Sequence, residues 1–157
     1  MTDWMIYGAN GYTGRLAAEE AVRRGMRPVL AGRNESAVKQ LAAELGLECR
    51  IFGLDDADKL AAAIEGLRLV LHCAGPFSVT SKPMIQACLA KGVHYLDITG
   101  EISVFEYAHS QHEAARHADI VLIPGTGFDV VPSDCLAASL VEALPAATRL
   151  QLAFEAS

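Results

Sequence analysis

Three glycines recur at intervals of three in Tyr7-Gly8-Ala9-Asn10-Gly11-Tyr12-Thr13-Gly14. Glycine is costly to order, so such a cluster marks a sharp bend or a backbone that something must approach closely. Upstream, Trp4-Met5-Ile6-Tyr7 has the length of a strand, and downstream Leu16, Ala17, Ala21 and Val22 recur at helical spacing up to Gly25. A loop between a strand and a helix start offers free N–H groups and a positive dipole end, which together suit a pyrophosphate. Gly8 would turn the chain off the strand, Gly11 would admit phosphates to the backbone, and Gly14 would let the helix pack on the sheet. Asn10, Tyr12 and Thr13 complete the candidate contact set. The spacing is G-x-x-G-x-x-G rather than G-x-G-x-x-G, and a tight turn that holds no ligand also accounts for it.

The residue that ends the second strand of a dinucleotide-binding unit chooses the cofactor. A carboxylate there accepts from the ribose 2′-hydroxyl, whereas an arginine neutralises a 2′-phosphate. Here the segment reads Leu30-Ala31-Gly32-Arg33-Asn34, with no carboxylate at the deciding place. Arg33 offers a planar fork of donors and Asn34 opens the next helix, so NADP is expected over NAD. Glu35 is an alternative ribose contact. Asp55 could accept from the adenine amino group or cap a helix. Cys73-Ala74-Gly75-Pro76 leaves the fourth strand beside the place where the nicotinamide half should lie.

These residues need a scaffold that brings strand ends together. Apolar runs predict strands over Trp4–Tyr7, Pro28–Ala31, Glu48–Phe52, Leu69–His72, His94–Leu96 and Ile120–Ile123. Amphipathic stretches separate them: Val38, Leu41, Ala42 and Leu45 share a face, as do Leu60, Ala63, Ile64 and Leu67, and Ile85, Cys88 and Leu89. Gly25, Gly46, Gly66 and Gly92 fall where helices should stop, and Pro83 is expected near a helix start. Later helices are expected over Ser103–His117 and Ser133–Leu144. The alternation implies an α/β fold, a doubly wound parallel sheet (Rossmann fold) of six or more strands in the order 3-2-1-4-5-6. Residues 1–148 form that domain. Leu150–Phe154 alternates like a strand, so 149–157 is expected to begin a truncated substrate or dimerisation domain, or to add a short edge strand.

With 157 residues, 52% hydrophobic and 20% charged, the chain can build one substantial core. A net charge of -6 argues against a general nucleic-acid or membrane-surface binder, so a small-molecule substrate is the expected partner. No apolar stretch approaches the roughly 20 residues that span a bilayer, the first strand leaves no room for a signal peptide, and a cytoplasmic location is expected. Cys49, Cys73, Cys88 and Cys135 lack C-x-x-C spacing, and neither a disulfide nor a zinc site is expected.

Other chemistries are disfavoured. Tyr-x-x-x-Lys catalysis, as in short-chain dehydrogenases, requires a lysine four residues after a tyrosine. Gly11, Leu16, Thr99 and Gln111 stand there instead. His109, His112, Glu113 and His117 crowd one helix without H-E-x-x-H spacing, which reads as a solvated face rather than a metal site. Asp129 and Asp134 flank Pro132 as caps. Asp97 and Glu101 either face the reaction space or organise their loop, and the catalytic residues are not assigned.

The glycine loop, Ala31-Gly32-Arg33, Cys73-Ala74-Gly75-Pro76-Phe77, Tyr95-Leu96-Asp97-Ile98-Thr99-Gly100-Glu101 and Gly125-Thr126-Gly127-Phe128-Asp129-Val130-Val131-Pro132-Ser133-Asp134 together resemble the NADP-binding domain of the saccharopine dehydrogenase-like family of reductases. The resemblance implies hydride transfer to or from NADP(H), with substrate held against a second domain; a homodimer of the full-length protein is a separate expectation. Relatives act on saccharopine-like amino acids or as enoyl reductases of lipid assembly. Thr126 and Val130 stand where some members carry Cys and Ser. A non-catalytic NADP-sensing or interaction module is the alternative.

Overall fold

A computed structural model describes residues 3–128 and 130–153. Six parallel strands alternate with helices: β1 (Trp4–Tyr7), α1 (Tyr12–Arg23), β2 (Val29–Gly32), α2 (Glu35–Leu45), β3 (Cys49–Ile51), α3 (Ala57–Ile64), β4 (Leu69–His72) and α4 (Phe77–Lys91). The chain continues with β5 (His94–Asp97), α5 (Ile102–Ser110), α6 (His112–His117), β6 (Leu122–Ile123) and α7 (Val131–Ala143). The sheet order is β3-β2-β1-β4-β5-β6, the doubly wound order expected from the sequence.

Strand side chains alternate between two cores because successive Cβ atoms point to opposite faces. Met5, Tyr7, Val29, Ala31, Val70 and Tyr95 meet Leu60 and Ile64 of α3 and Met84, Ile85 and Cys88 of α4 on one face. Ile6 and Leu30 meet Ala18 of α1 and Val38, Leu41 and Ala42 of α2 on the other. Register aligns the strand ends: Ala31 pairs with Tyr7, Tyr7 with His72, and His72 with Asp97. The residues that follow this row therefore share one rim.

Several element limits differ from the sequence reading. Pro83 lies well inside α4, which begins at Phe77 directly after Pro76. The helix expected over Ser103–His117 is two helices, because the Gln111 amide donates to Ala108 three residues back and the chain turns there. α7 starts two residues early and buries no side chain among the described residues. Residues 150–153 form no strand, and Phe154 and Asp129 lie outside the described residues. All four cysteines are free; Cys88 is buried and Cys135 exposed.

Gly8 and Gly14 are required by the fold itself. Gly8 has φ +81°, and a Cβ on it would stand 2.8 Å from the Ala74 nitrogen. A Cβ on Gly14 would stand 2.2 Å from the Gly8 carbonyl oxygen. Gly14→Ala should therefore lower stability by about 1–3 kcal/mol, the usual cost of overpacking, read as a shifted urea midpoint.

His72 is fully buried between Tyr7, Phe77 and Tyr95. Thr80 Oγ1 donates to the Ala74 carbonyl at 2.6 Å and so accepts from His72 Nε2 at 3.0 Å. His72 Nδ1 is left without a hydrogen-bond partner among the described residues. Burial pushes the imidazole pKa from 6.5 down to about 3. Below the unfolded value, the unfolded chain takes up a proton that the folded chain refuses. Stability from this group is thus intact above that value and declines as pH falls toward the folded one. Between about pH 6 and about pH 5, urea unfolding should lose about 1.4 kcal/mol per pH unit through His72. His72→Phe should remove that component of the slope.

Candidate functional site

The start of α1 is the least satisfied helix end among the first four. Gly11 is its N-cap, in extended backbone at φ -76° and ψ 167°, and no side chain caps it. Gly11 donates its own N–H to the Gly8 carbonyl, and the first amide to bond back into the loop is that of Arg15. The amides of Tyr12, Thr13 and Gly14 have no acceptor among the described residues. By contrast, Asn34 Oδ1 accepts from Ala37 in α2, Asp56 Oδ1 from Lys59 in α3, and Glu101 from Phe77 and Ser78 in α4. Three N–H groups without an acceptor among the described residues thus meet the positive end of a helix dipole at one place.

Gly11 borders that place differently from its neighbours. A Cβ there would meet only the Gly8 carbonyl oxygen, at 3.3 Å, and its φ is ordinary. The fold itself asks little of a glycine here. What the missing side chain leaves open is the approach to the bare amides. Asn10, Gly11, Tyr12 and Thr13 are all exposed, with Tyr12 at 84%.

The 2′ side of the rim lies after β2. A Cβ on Gly32 would stand 3.1 Å from Asn10 Oδ1, so Gly32 seats the glycine loop beside the Arg33 segment. Arg33 is exposed and makes no hydrogen bond or ion pair among the described residues. The Glu35 carboxylate, the alternative ribose contact, is instead 2.6 Å from Lys39 Nζ one turn along α2, which lowers its pKa. Asn34 is the α2 cap, and its side chain also accepts from the Ser36 hydroxyl. Asp55 is exposed; the cap of α3 is its neighbour Asp56. Burial raises the Tyr7 pKa, while the Arg33 charge opposes that rise and the Asp55 charge adds to it. Arg33 follows β2 and Asp55 follows β3, at the same end of the sheet as Tyr7.

On the other side, Cys73 donates its N–H to the Tyr7 carbonyl at 2.8 Å, and Ala74 packs against Gly8. Gly75 and Pro76 follow, exposed, at the start of α4. Cys73 is not poised as a thiolate, because burial and then Asp97 push its pKa up to about 12. Every residue singled out for the cofactor from the sequence thus lies on the rim between α1, the end of β2, the end of β3 and the end of β4.

Asp97 and Glu101 organise loops. Asp97 is fully buried and accepts from the Tyr95 hydroxyl, the Thr99 amide and the Gly125 amide at 2.6, 3.0 and 2.8 Å. Glu101 accepts from the Phe77 and Ser78 amides at 2.7 and 2.9 Å. Sequence reasoning singled out neither Thr80 nor the link from Glu101 to α4, since the partners of Glu101 lie 24 and 23 residues away and carry no local signal. A separate groove of about 510 Å³ lies between α5, α6 and β6, lined by Phe105, His109, His112 and Arg116 among others, and includes none of the rim residues. Among the described residues no three His, Cys, Asp or Glu side chains group as metal ligands. No helix among them is long and apolar enough to cross a membrane.

Known proteins resemble this chain in sequence and in fold. The chain is 29% identical over 153 residues to the saccharopine dehydrogenase-like oxidoreductase of Mus musculus, covering 83% of this chain and 35% of that one. It is 34% identical over 142 residues to the trans-acting enoyl reductase of Mycobacterium leprae, covering 84% and 34%. It thus spans about a third of the length of these relatives. Apo saccharopine dehydrogenase (L-Glu forming) from Saccharomyces cerevisiae shares the fold with a TM-score of 0.79 at 12% identity, over 92% of this chain and 32% of that one. Citrobacter sp. triphenylmethane reductase, solved in complex with NADP(H), does so at a TM-score of 0.61 and 20% identity, over 77% and 48%. Residues 4–123 match the saccharopine dehydrogenase NADP binding domain, and the chain belongs to that family.

Proposed function

We propose that this chain binds NADP(H) along the rim and is the cofactor-binding part of a longer oxidoreductase. The pyrophosphate sits on the Tyr12, Thr13 and Gly14 amides, and Gly11 gives it access. Arg33 holds the 2′-phosphate, with Asn34 and Gly32 beside it. Asp55 lies on the adenine side and Cys73–Pro76 on the nicotinamide side. The observation that carries this reading is the bare start of α1 next to an arginine that has no partner among the described residues. Oriented amides and a guanidinium match two separated anionic groups, and no carboxylate competes at the end of β2. When bound, the nicotinamide of NADP(H) would donate or accept the hydride.

The names of the relatives support an oxidoreductase. The substrate is a small molecule held against a second domain, residues 149–157 begin that domain, and the full-length protein forms a homodimer. Apart from the homodimer, a separate expectation, these points rest, with the cytoplasmic location, on the family resemblance and the composition. The 157-residue chain alone should bind nucleotide without turnover.

Two titrations test the site. Arg33→Ala should weaken NADPH about tenfold to a hundredfold, the value of one or two charge-assisted contacts, and leave NADH nearly unchanged. Equal affinities of the unaltered protein for the two nucleotides would reject the role of Arg33. Gly11→Ala should weaken both nucleotides about tenfold while lowering the unfolding free energy, read from urea melts, by less than about 1 kcal/mol. A variant that binds as the parent does would remove the pyrophosphate from this loop.

A further inference from the structure

The Cys73–Pro76 loop stands where the sheet order reverses between β1 and β4, the place at which a doubly wound sheet receives its ligand. Its backbone is held from two directions. From within, Thr80 Oγ1 donates to the Ala74 carbonyl at 2.6 Å and lies 3.1 Å from the Pro76 carbonyl, with His72 donating to the same hydroxyl. From outside, both Glu101 carboxylate oxygens accept from the first two amides of α4. Glu101 is itself fixed, because its amide donates to Thr99 Oγ1 at 3.0 Å and the Thr99 amide donates to the buried Asp97 carboxylate. Hydrogen bonding from Ser78, side chain and amide, and from the Phe77 amide lowers the Glu101 pKa.

We infer that Glu101 is a positioning residue for the nicotinamide half of the dinucleotide, a conclusion that rests on the NADP(H) reading above. Its carboxylate does two things through groups it touches. It holds the loop that walls the crevice at a set distance from Gly8, where Ala74 comes so close that no side chain would fit between them. It also satisfies the α4 amides and places a negative charge on that helix start, which repels phosphate there. The α1 start is then the open anion site of the two, and this polarity orients the dinucleotide with its pyrophosphate at α1 and its nicotinamide end toward α4. Glu101 acts through the Phe77 and Ser78 backbone and needs no contact with the ligand.

The test separates the two halves of the ligand by titrating NADPH and adenosine 2′,5′-bisphosphate against the same proteins. Glu101→Ala should weaken NADPH about tenfold while the bisphosphate changes less than about twofold, because the adenine half sits at Arg33. Glu101→Gln keeps one acceptor for the amides and should recover part of the loss. Thermal melts of each variant, run in parallel, report any general destabilisation. Unchanged NADPH affinity in Glu101→Ala would overturn the inference, and so would an equal loss for both ligands, which would mean that Glu101 acts on the whole fold. Failure of the unaltered protein to bind either ligand would instead reject the NADP(H) reading itself.

Discussion

Three main-chain N–H groups at the start of α1, unmatched by any acceptor among the described residues, are the feature around which the rest of this domain is arranged. A bare helix start is ordinarily filled by a side chain, as Asn34, Asp56 and Glu101 fill those of α2, α3 and α4. At α1 the capping position is a glycine, so nothing local can fill it. Gly8 bends the chain at positive φ and Gly14 brings α1 onto the loop, and together they set the bare amides beside the end of β2. The two apolar cores hold the parallel strands in register and so keep the rim in one line.

The opposite wall of the rim is organised by two carboxylates that bind backbone amides, the buried Asp97 and the partly exposed Glu101. Asp97 collects a hydroxyl and two amides from three segments, and Glu101 reaches across to α4. Burial of the Asp97 side chain is tolerated because each oxygen is matched by a donor. The result is an asymmetric pair of helix starts: α1 is open and positive, and α4 is closed and already occupied by an anion. In the proposed NADP(H) complex, that asymmetry would give the dinucleotide a direction, which a symmetric rim would not.

Much of this was legible in the sequence where the signal is local. Strand and helix alternation, with Val, Ile and Leu in the strands, leads to the doubly wound order because crossovers in a parallel sheet have one hand. The glycine spacing and Arg33 after the second strand could be placed on one rim for the same reason. What was not legible depends on long-range partners or on near-equal local choices. Asp55 and Asp56 are adjacent and either could cap α3; only the backbone geometry selects Asp56. Pro83 looked like a helix start, yet α4 begins earlier because Glu101 satisfies the amides of Phe77 and Ser78. The helical pattern across Ser103–His117 conceals the turn at Gln111, which no glycine or proline marks. Thr80 carries no pattern at all; its role appears only when His72 and the Ala74 carbonyl are brought to it.

The most direct measurement of the central claim follows the backbone amides themselves, by NMR of the nitrogen-labelled chain titrated with NADPH. The account predicts that the resonances of Tyr12, Thr13 and Gly14 shift most strongly and exchange more slowly with solvent at saturation, while that of Lys59, already capped by Asp56, stays in place. Saturation with no change at residues 12–14, or changes of the same size at Lys59, would contradict it.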